Sequence, residues 1–384
     1  MQSRKIALVH DWFTVYSGSE RVCEQILQLY PEADVFSLVD FLPEDQRQFL
    51  DGKKPNTSFI QNLPFARKKY RQYIGLMPIA VEQLELSGYD MVLSSSHAVA
   101  KGVITGPDQL HISYIHSPLR YAWDMQQQYL REAHLEYGLK SAFARLLLHY
   151  LRLWDLRTAN GVDIFLANSN FIARRIYKVY RREARVVYPP VDIDYFSLSN
   201  QRENEYLAVS RFVQYKRMDL IIDAFTAMPE KRLYVIGDGP DFKRLQSRAG
   251  PNISLMGYQS CEVVRERMQK ARALIFAAKE DFGIVPVEAQ ACGTPIIAYR
   301  KGGVLETVRN IDQPNPTGLF FTEQSIEAVQ NAIYQFEKVF QAFSPQTCRD
   351  NALRFSIDRF RDDYSTKVEL AWEEFYKILV QKEQ

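Results

Sequence analysis

The sequence predicts an α/β protein built from two doubly wound halves, each a mainly parallel sheet with helices on both faces. Short apolar, β-rich runs alternate with stretches of helical spacing along most of the 384 residues, and this alternation is typical of parallel sheets. At about 150 residues per domain, the length indicates two large domains. The 46% apolar and 24% charged residues are an ordinary globular balance, which excludes a largely disordered or fibrous chain.

The first half is predicted from a strand at residues 5–9, a polar turn that contains Gly18, and an amphipathic helix over residues 20–29. Helical patterns separate most of the later strands from one another. These strands are predicted at residues 34–39, 91–93, 111–115 and 164–167.

The division between the halves is predicted at residues 188–192, because Pro189 and Pro190 prevent a helix or a central strand from continuing there. Residues 356–382 have helical spacing and follow the last predicted strand, so we expect them to pack back on the first half. The predicted domains are residues 1–190 together with helix 358–384, and residues 191–357. The strands of the second half are predicted at residues 206–209, 233–236, 253–256, 273–276, 295–298 and 319–321.

Charge and cysteine content narrow the function classes. A formal net charge of +2 does not favour a nucleic-acid partner, and four widely spaced cysteines suit a reducing compartment. The first residues lack a signal-peptide pattern, and no apolar run reaches the length that spans a bilayer, so we expect a cytoplasmic protein. Residues 140–185 carry ten basic and three acidic side chains, and residues 67–71 add a basic cluster. These helices suit contact with the inner face of a membrane, and a solvated helix face is the alternative.

The most informative segment runs from Glu280 to Glu288, after a predicted strand and into a helix predicted from about residue 287. A glycine and free amides before a helix suit a diphosphate, and the two carboxylates suit sugar or ribose hydroxyls. The alternative is an ordinary strand–loop–helix with an acidic first turn. The residues between the carboxylates that are predicted to bind substrate are Phe282, Gly283, Ile284 and Val285.

Other candidate residues also follow predicted strands. Arg211 and Lys216 would neutralise a diphosphate leaving group, unless they belong to a solvated basic loop. Gly18 precedes a helix. His116 ends a strand, and a histidine there can face a cleft, although most histidines are structural. The sequence from Gly237 to Pro240 lacks the full glycine fingerprint of a dinucleotide site, which disfavours a nicotinamide cofactor.

Taken together, these motifs resemble the family-four retaining glycosyltransferases of the GT-B fold, in which two Rossmann-like domains face an interdomain cleft. The resemblance rests on the Glu-x7-Glu segment, Ser-Arg-x4-Lys-Arg at residues 210–217, His116, the Gly18 loop and Tyr-Pro-Pro-Val-Asp at residues 188–192. Segments 10–12, 18–21 and 115–124 are most similar to bacterial enzymes of polysaccharide biosynthesis.

The resemblance implies a role for each domain and for each matching residue. Residues 1–190 with helix 358–384 would form the acceptor side, and residues 191–357 would bind the nucleotide-sugar donor. Glu288 would bind the ribose and Glu280 the donor sugar, while the amides after Phe282 would hold sugar and diphosphate. Arg211 and Lys216 would stabilise the leaving diphosphate. His116 would reach the donor sugar, and Gly18 would bring backbone to the phosphate. Many relatives have a second glycine where this chain has Ser17.

The implied reaction is a retaining, metal-independent transfer of a hexose from a nucleotide sugar, with UDP-glucose ahead of GDP-mannose, to a saccharide or polyprenyl-linked acceptor. No cofactor and no metal are expected, because cations and helix amides would stabilise the leaving diphosphate. Front-face attack is favoured over double displacement, which needs two opposed carboxylates about 5 Å apart. The alternatives are a GT-B epimerase or phosphorylase-like enzyme and a non-catalytic sugar-nucleotide-binding subunit.

Overall fold

The computed structural model describes residues 4–382 and divides the chain into two compact units. One unit comprises the residues up to Pro190 together with those from Phe360 onward, and the other spans Val191–Arg359. The sequence predicts the same two domains with boundaries at 190/191 and 357/358, whereas the structure divides the chain at 190/191 and 359/360. Residues 1–3 and 383–384, which belong to the predicted N-terminus and C-terminal helix, lie outside the described residues.

The first unit is built on a parallel sheet, with seven strands among the described residues, in the order β3-β2-β1-β4-β5-β6-β7. Neighbouring strands of this sheet all pair in parallel, as the sequence predicted. The strands are β1 (Ile6–His10), β2 (Asp34–Ser37), β3 (Asn56–Thr57), β4 (Met91–Ser96), β5 (Leu110–Ile115), β6 (Ile164–Ala167) and β7 (Ala184–Val186).

Helices cover this sheet, and the last one returns to it from the end of the chain. Phe360, Tyr364 and Val368 of that last helix are buried against the strand residues Leu8 and Leu93 in one apolar cluster. The helices are α1 (Gly18–Leu29), α2 (Ala66–Lys69), α3 (Met77–Glu82), α4 (Gln126–Glu132), α5 (Leu139–Thr158) and α6 (Asn170–Tyr180), and the last helix of the chain is Ile357–Lys382.

The second unit is a parallel sheet whose described strands number six, in the order β10-β9-β8-β11-β12-β13. The strands are β8 (Glu205–Val209), β9 (Arg232–Ile236), β10 (Ile253–Gly257), β11 (Leu274–Phe276), β12 (Ile296–Tyr299) and β13 (Gly318–Phe321). The helices are α7 (Met218–Thr226), α8 (Phe242–Gln246), α9 (Cys261–Lys270), α10 (Ile284–Ala291), α11 (Val304–Thr307), α12 (Ile326–Lys338) and α13 (Pro345–Ala352), and Ile357–Lys382 is α14.

The structure differs from the predicted elements most clearly at β3, β7, β4 and α10. The edge strands β3 and β7 were missed because they have two and three residues and are partly exposed, so they carry no apolar run. Strand β4 continues through three buried serines to Ser96, where the sequence predicted an end at Leu93. Helix α10 begins at Ile284, three residues before the predicted start.

Each sheet has a point where the strand order reverses. In the first, β1 lies between β2 and β4, and in the second, β8 lies between β9 and β11. At such a point the loops that follow two neighbouring strands leave the sheet in opposite directions. Ligands of open parallel sheets bind beside the carboxyl ends of these two strands. Among the residues described, no helix is both long enough and apolar enough to cross a bilayer.

Candidate functional site

The candidate site of the second unit begins at the N-terminus of α10. Gly283 precedes this helix with a φ of 92°, a left-handed conformation that favours glycine. A Cβ atom there would lie 3.6 Å from Cγ of Pro286, an ordinary contact distance. The glycine is therefore required by the backbone conformation. Ile284 and Val285 are half-buried in the first turn, where backbone N–H groups and the helix dipole favour an anion.

Lys216 and Glu280 form an ion pair at the reversal point of the second sheet. Lys216 follows β8, Glu280 follows β11, and the Lys216 Nζ donates a hydrogen bond to the Glu280 Oε1. Their side chains are 17% and 20% exposed, so the pair is partly shielded from water yet accessible at the edge of the unit. The sequence predicted both residues for the site but did not predict that they pair.

Two glycines after β12 fix the backbone of the Glu280 segment. The Gly303 N–H donates to the Glu280 carbonyl oxygen over 2.9 Å, and Glu280 forms an isolated parallel bridge with Gly302. A Cβ atom at Gly302 would lie 2.3 Å from that carbonyl oxygen, and Gly302 has a φ of 91°. Only glycine fits here without displacing the segment that carries the carboxylate.

The Gly302→Ala variant is therefore expected to lose at least about tenfold in turnover, because moving a positioned side chain by about 1 Å has large kinetic effects. Gly52→Ala is the matched control, since Gly52 has a φ of 76° with no atom within 4 Å of the added Cβ. We expect the control to lose about 1 kcal/mol of stability and keep its turnover. Equal turnover in the two variants would contradict this role for Gly302.

The loop that carries Arg211 is supported by the glycines after β9. The Phe212 N–H donates to the Asp238 carbonyl oxygen over 2.8 Å. A Cβ atom at Gly237 would lie 1.8 Å from the Ser210 carbonyl oxygen, so the backbones are in close contact. The Gly-Asp-Gly motif therefore shapes its neighbouring loop, which fits the absence of a dinucleotide fingerprint. Arg211 is exposed on this loop.

Phe282 and Glu288 are buried beside the same helix. The Phe282 ring packs edge-on against Phe355 with the ring centroids 5.4 Å apart, so this side chain anchors the loop in the core. Glu288 lies within α10 and is 7% exposed. The structure thus brings the predicted second-unit residues to one sheet edge, with Phe282 in a packing role.

The first unit places His116 at the carboxyl edge of its own sheet. His116 Nε2 lies 2.8 Å from Ser95 Oγ, and that hydroxyl also lies 3.2 Å from His10 Nδ1. Burial, together with the neighbouring His97 and His10, lowers the pKa of His116 to about 3. His116 is therefore a neutral imidazole at physiological pH.

We call His10, His97 and His116, at the carboxyl edge of the first sheet, the histidine edge. Gly18 is the first residue of α1, and Glu20 connects the start of this helix to the histidine edge. The Glu20 carboxylate accepts hydrogen bonds from the Ser17 N–H at 3.1 Å and the Ser17 hydroxyl at 2.7 Å, which ties down the helix start. Its other oxygen lies 3.3 Å from His10 Nε2. Burial opposes ionisation of Glu20, but the contacts with His10 and Ser17 and a backbone hydrogen bond together outweigh burial and lower the Glu20 pKa to about 2.

Asp11 and His97 are the site residues that sequence reasoning missed. Asp11 is fully buried, and its carboxylate accepts the backbone N–H groups of residues 97, 98, 99 and 100 at 2.6 to 2.9 Å. Burial would raise the Asp11 pKa, but the contacts with His97 and the nearby His10 together outweigh burial and hold that pKa well below its ordinary range. The His97 ring lies with its centroid 6.2 Å from that of His116. Asp11 thus positions the loop that places His97 beside His116.

The lowered pKa of His116 predicts a specific acid sensitivity. Between pH 6.5 and about 3, the unfolded chain binds a proton at this position that the folded chain does not bind. Stability therefore falls as the pH falls, by up to about 1.4 kcal/mol per pH unit. We expect urea unfolding of His116→Gln to show a shallower decline than the unmodified protein. Identical slopes would show that His116 titrates normally in the folded state.

In the part of the chain that the structure describes, no three or more His, Cys, Asp or Glu side chains form a group that could hold a metal ion. Metal independence stays a prediction. The four cysteines are unpaired, and Cys23, Cys292 and Cys348 are buried.

Comparison with known proteins identifies both units. The family model for Glycosyltransferase Family 4 matches residues 16–195, and the model for Glycosyl transferases group 1 matches residues 193–341. An uncharacterized glycosyltransferase of Methanocaldococcus jannaschii is 30% identical over 181 residues, which are 44% of this chain and 50% of the relative. D-inositol 3-phosphate glycosyltransferase of Mycobacterium leprae is 28% identical over 182 residues, 41% of this chain and 42% of the relative. The matches thus span half or less of these relatives.

Solved structures show the same architecture over almost the whole chain. HepE of Anabaena, crystallised with UDP-glucose, has a TM-score of 0.68 at 17% identity and covers 95% of this chain and 99% of its own. Sucrose-phosphate synthase of Thermosynechococcus elongatus has a TM-score of 0.72 at 15% identity, with 97% and 100% covered. At this identity the likeness shows the fold, which is the predicted two-domain GT-B fold. The two family models together match residues 16–341, and they show that the chain belongs to the family-four (group 1) glycosyltransferases.

Proposed function

We propose that this protein transfers a hexose from a nucleotide diphosphate sugar to a growing polysaccharide or lipid-linked oligosaccharide, at the inner face of a membrane. The observation that carries the proposal is the meeting of Lys216 and Glu280 beside the N-terminus of α10. A cation, a carboxylate and free helix amides there match the charges and hydroxyls of a sugar diphosphate. Family membership supports the same reaction.

We assign the donor to the second unit. Lys216 and Arg211 would neutralise the diphosphate together with the α10 amides at Ile284 and Val285, and this is why we propose a reaction without a metal ion. Glu280 would accept hydrogen bonds from hydroxyls of the sugar. Glu288 would do so from the ribose. UDP-glucose is the favoured donor, ahead of GDP-mannose.

The proposed transfer retains the anomeric configuration through front-face attack. The acceptor oxygen bonds to C1 on the face from which the diphosphate departs, the C1–O bond to the diphosphate breaks, and the acceptor's proton passes to a diphosphate oxygen. Double displacement is disfavoured because neither carboxylate of the Glu280–Glu288 segment is available as a nucleophile. Glu280 is paired with Lys216, and Glu288 is buried within α10.

A thermal-shift screen followed by product analysis tests this function. The protein is mixed with UDP, GDP, UDP-glucose or GDP-mannose, with and without a chelator, and we expect UDP and UDP-glucose to raise the Tm. A donor at about 100 times its Kd would add roughly 2.7 kcal/mol of stability. NMR of the product formed on an oligosaccharide acceptor then gives the anomeric configuration.

The other functions give different outcomes in the same experiment. An epimerase would convert the donor sugar without an acceptor, and a binding subunit would show a Tm shift without turnover. No shift with any of the four nucleotides would refute the proposed function. Strict dependence on a divalent metal would refute its metal-independent form.

A further inference from the structure

Helix α5 exposes a line of large apolar side chains. They recur at steps of four and three residues, which places them on one face of the helix. An ordinary surface helix turns such a face towards the core, so an exposed one indicates an interaction surface. Leu139 is 91% exposed and Phe143 69%, and the line continues through Leu146, Tyr150 and Leu153.

A second exposed segment lies beside this helix. Phe65 is 77% exposed and has a φ of 58°, an unfavourable backbone conformation for a bulky residue that turns an aromatic ring to solvent. Leu76 and Ile79 are also exposed. The segment adjoins α5 at Gly75, where a Cβ atom would lie 3.2 Å from Leu147 Cδ1. We call residues 65–79 together with the exposed line of α5 the α2–α5 surface.

The charges of the α2–α5 surface are of one sign. Residues 59–81 contain four basic residues and no acidic one, and residues 138–154 contain three basic residues and no acidic one. Those of the first segment are all exposed, whereas two of the second are half-buried. The seven residues are Arg67, Lys68, Lys69, Arg71, Lys140, Arg145 and Arg152.

This charge distinguishes between two possible occupants. The four-and-three spacing would also suit pairing of α5 with a second copy of itself. Such pairing would oppose basic segments that contain no acidic partner, which costs free energy. A bilayer with anionic lipids accepts the apolar side chains at its interface and supplies negative charge around them.

We propose that the α2–α5 surface docks on an anionic lipid bilayer. The Trp12 ring packs against Tyr70 with the ring centroids 5.3 Å apart, and against His97 at 4.7 Å, so the surface is in contact with the histidine edge. Docking would therefore hold that edge close to lipid headgroups. The inference deepens the proposed function, since it explains how a lipid-linked acceptor would reach this unit.

Cosedimentation with vesicles tests the inference on the full chain without any substrate. Vesicles of phosphatidylcholine alone are compared with vesicles that also contain phosphatidylglycerol. We expect binding to the anionic vesicles at least about tenfold above binding to the neutral ones, and weaker binding as salt is raised.

Two double variants and two controls separate the apolar and the basic contributions. Phe143→Ser with Leu146→Ser is expected to weaken binding at least about tenfold. Arg67→Glu with Lys68→Glu is expected to weaken it by about 20-fold or more. The controls Tyr258→Ser and Lys243→Glu change an exposed aromatic and an exposed basic residue of the second unit, and they should bind like the unmodified protein.

The inference is overturned by equal binding to both kinds of vesicle, by no binding, or by a dimer in sedimentation velocity that the Phe143 and Leu146 changes dissociate. All variants should keep the Tm shift that UDP produces, since the changes lie outside the donor site. A variant that loses vesicle binding but keeps the Tm shift with UDP is changed only at the α2–α5 surface. If the unmodified protein shows no Tm shift with UDP, the proposed function fails and the docking inference is unaffected.

Discussion

Glu280→Gln is expected to lower kcat by about 100-fold or more. Glutamine has nearly the same shape but no charge, so it no longer holds the Lys216 ammonium beside α10. Both the contact to the sugar and the position of the cation would then be lost, and misplacement of catalytic groups by about 1 Å has effects of this size. The measurement is the initial rate of UDP release from UDP-glucose in the presence of acceptor.

Glu266→Gln is the matched control, because Glu266 is an exposed carboxylate on helix α9 of the same unit. We expect the control to retain the full rate. The Glu280 variant should keep its Tm, because the pair that it breaks is partly exposed and contributes little to stability. A rate within threefold of the unmodified protein would argue against any role for Glu280 in the reaction.

Asp11→Ala is expected to destabilise the first unit by about 3 kcal/mol or more. The change removes the acceptor of four backbone N–H groups in a loop that is largely buried, and buried donors without partners are costly. The loop that carries His97 would lose its anchor, so turnover should fall as well. Urea unfolding monitored by tryptophan fluorescence gives the change in free energy.

The exposed Asp108 provides the control, and Asp108→Ala should change stability by less than about 0.5 kcal/mol. The Asp11 contribution also depends on pH. Because the pKa of this carboxyl is lower in the folded than in the unfolded chain, its stabilisation is complete above pH 3.8 and is lost as the pH falls further. An Asp11→Ala protein as stable as the control would show that water replaces the carboxylate without cost.

Much of the fold was predictable because buried parallel strands are visible in the sequence as continuous apolar runs. Eight of the thirteen strands in the described residues carry at least three consecutive buried residues, whereas the edge strands β3 and β7 carry no buried residue. The division near Pro190 was predictable for a local reason as well, since two consecutive prolines interrupt any regular element. Helix α10 began earlier than predicted because Gly283, in a left-handed conformation, already turns the chain into the helix.

The site was predictable where a motif is local and unpredictable where partners are distant in sequence. Gly283 and Glu280 lie in one short segment, so their joint role could be read from spacing. The pairing of Lys216 with Glu280 joins residues 64 positions apart. Asp11 and His97 each resemble an ordinary strand-end residue. Two signals were available in the sequence. Asp11 comes directly after the apolar run of β1, and the run from Ser94 to His97 is polar.

The long sequence separation of the Asp11 contacts also indicates when they form during folding of the first unit. Its hydrogen bonds join groups separated by 86 to 89 residues, so they form only after β1 and β4 have come together. Contacts of such separation form late, because a long loop must close first. The histidine edge is therefore a product of completed folding, and the amide hydrogens of residues 98–100 should exchange with solvent only when the whole unit opens.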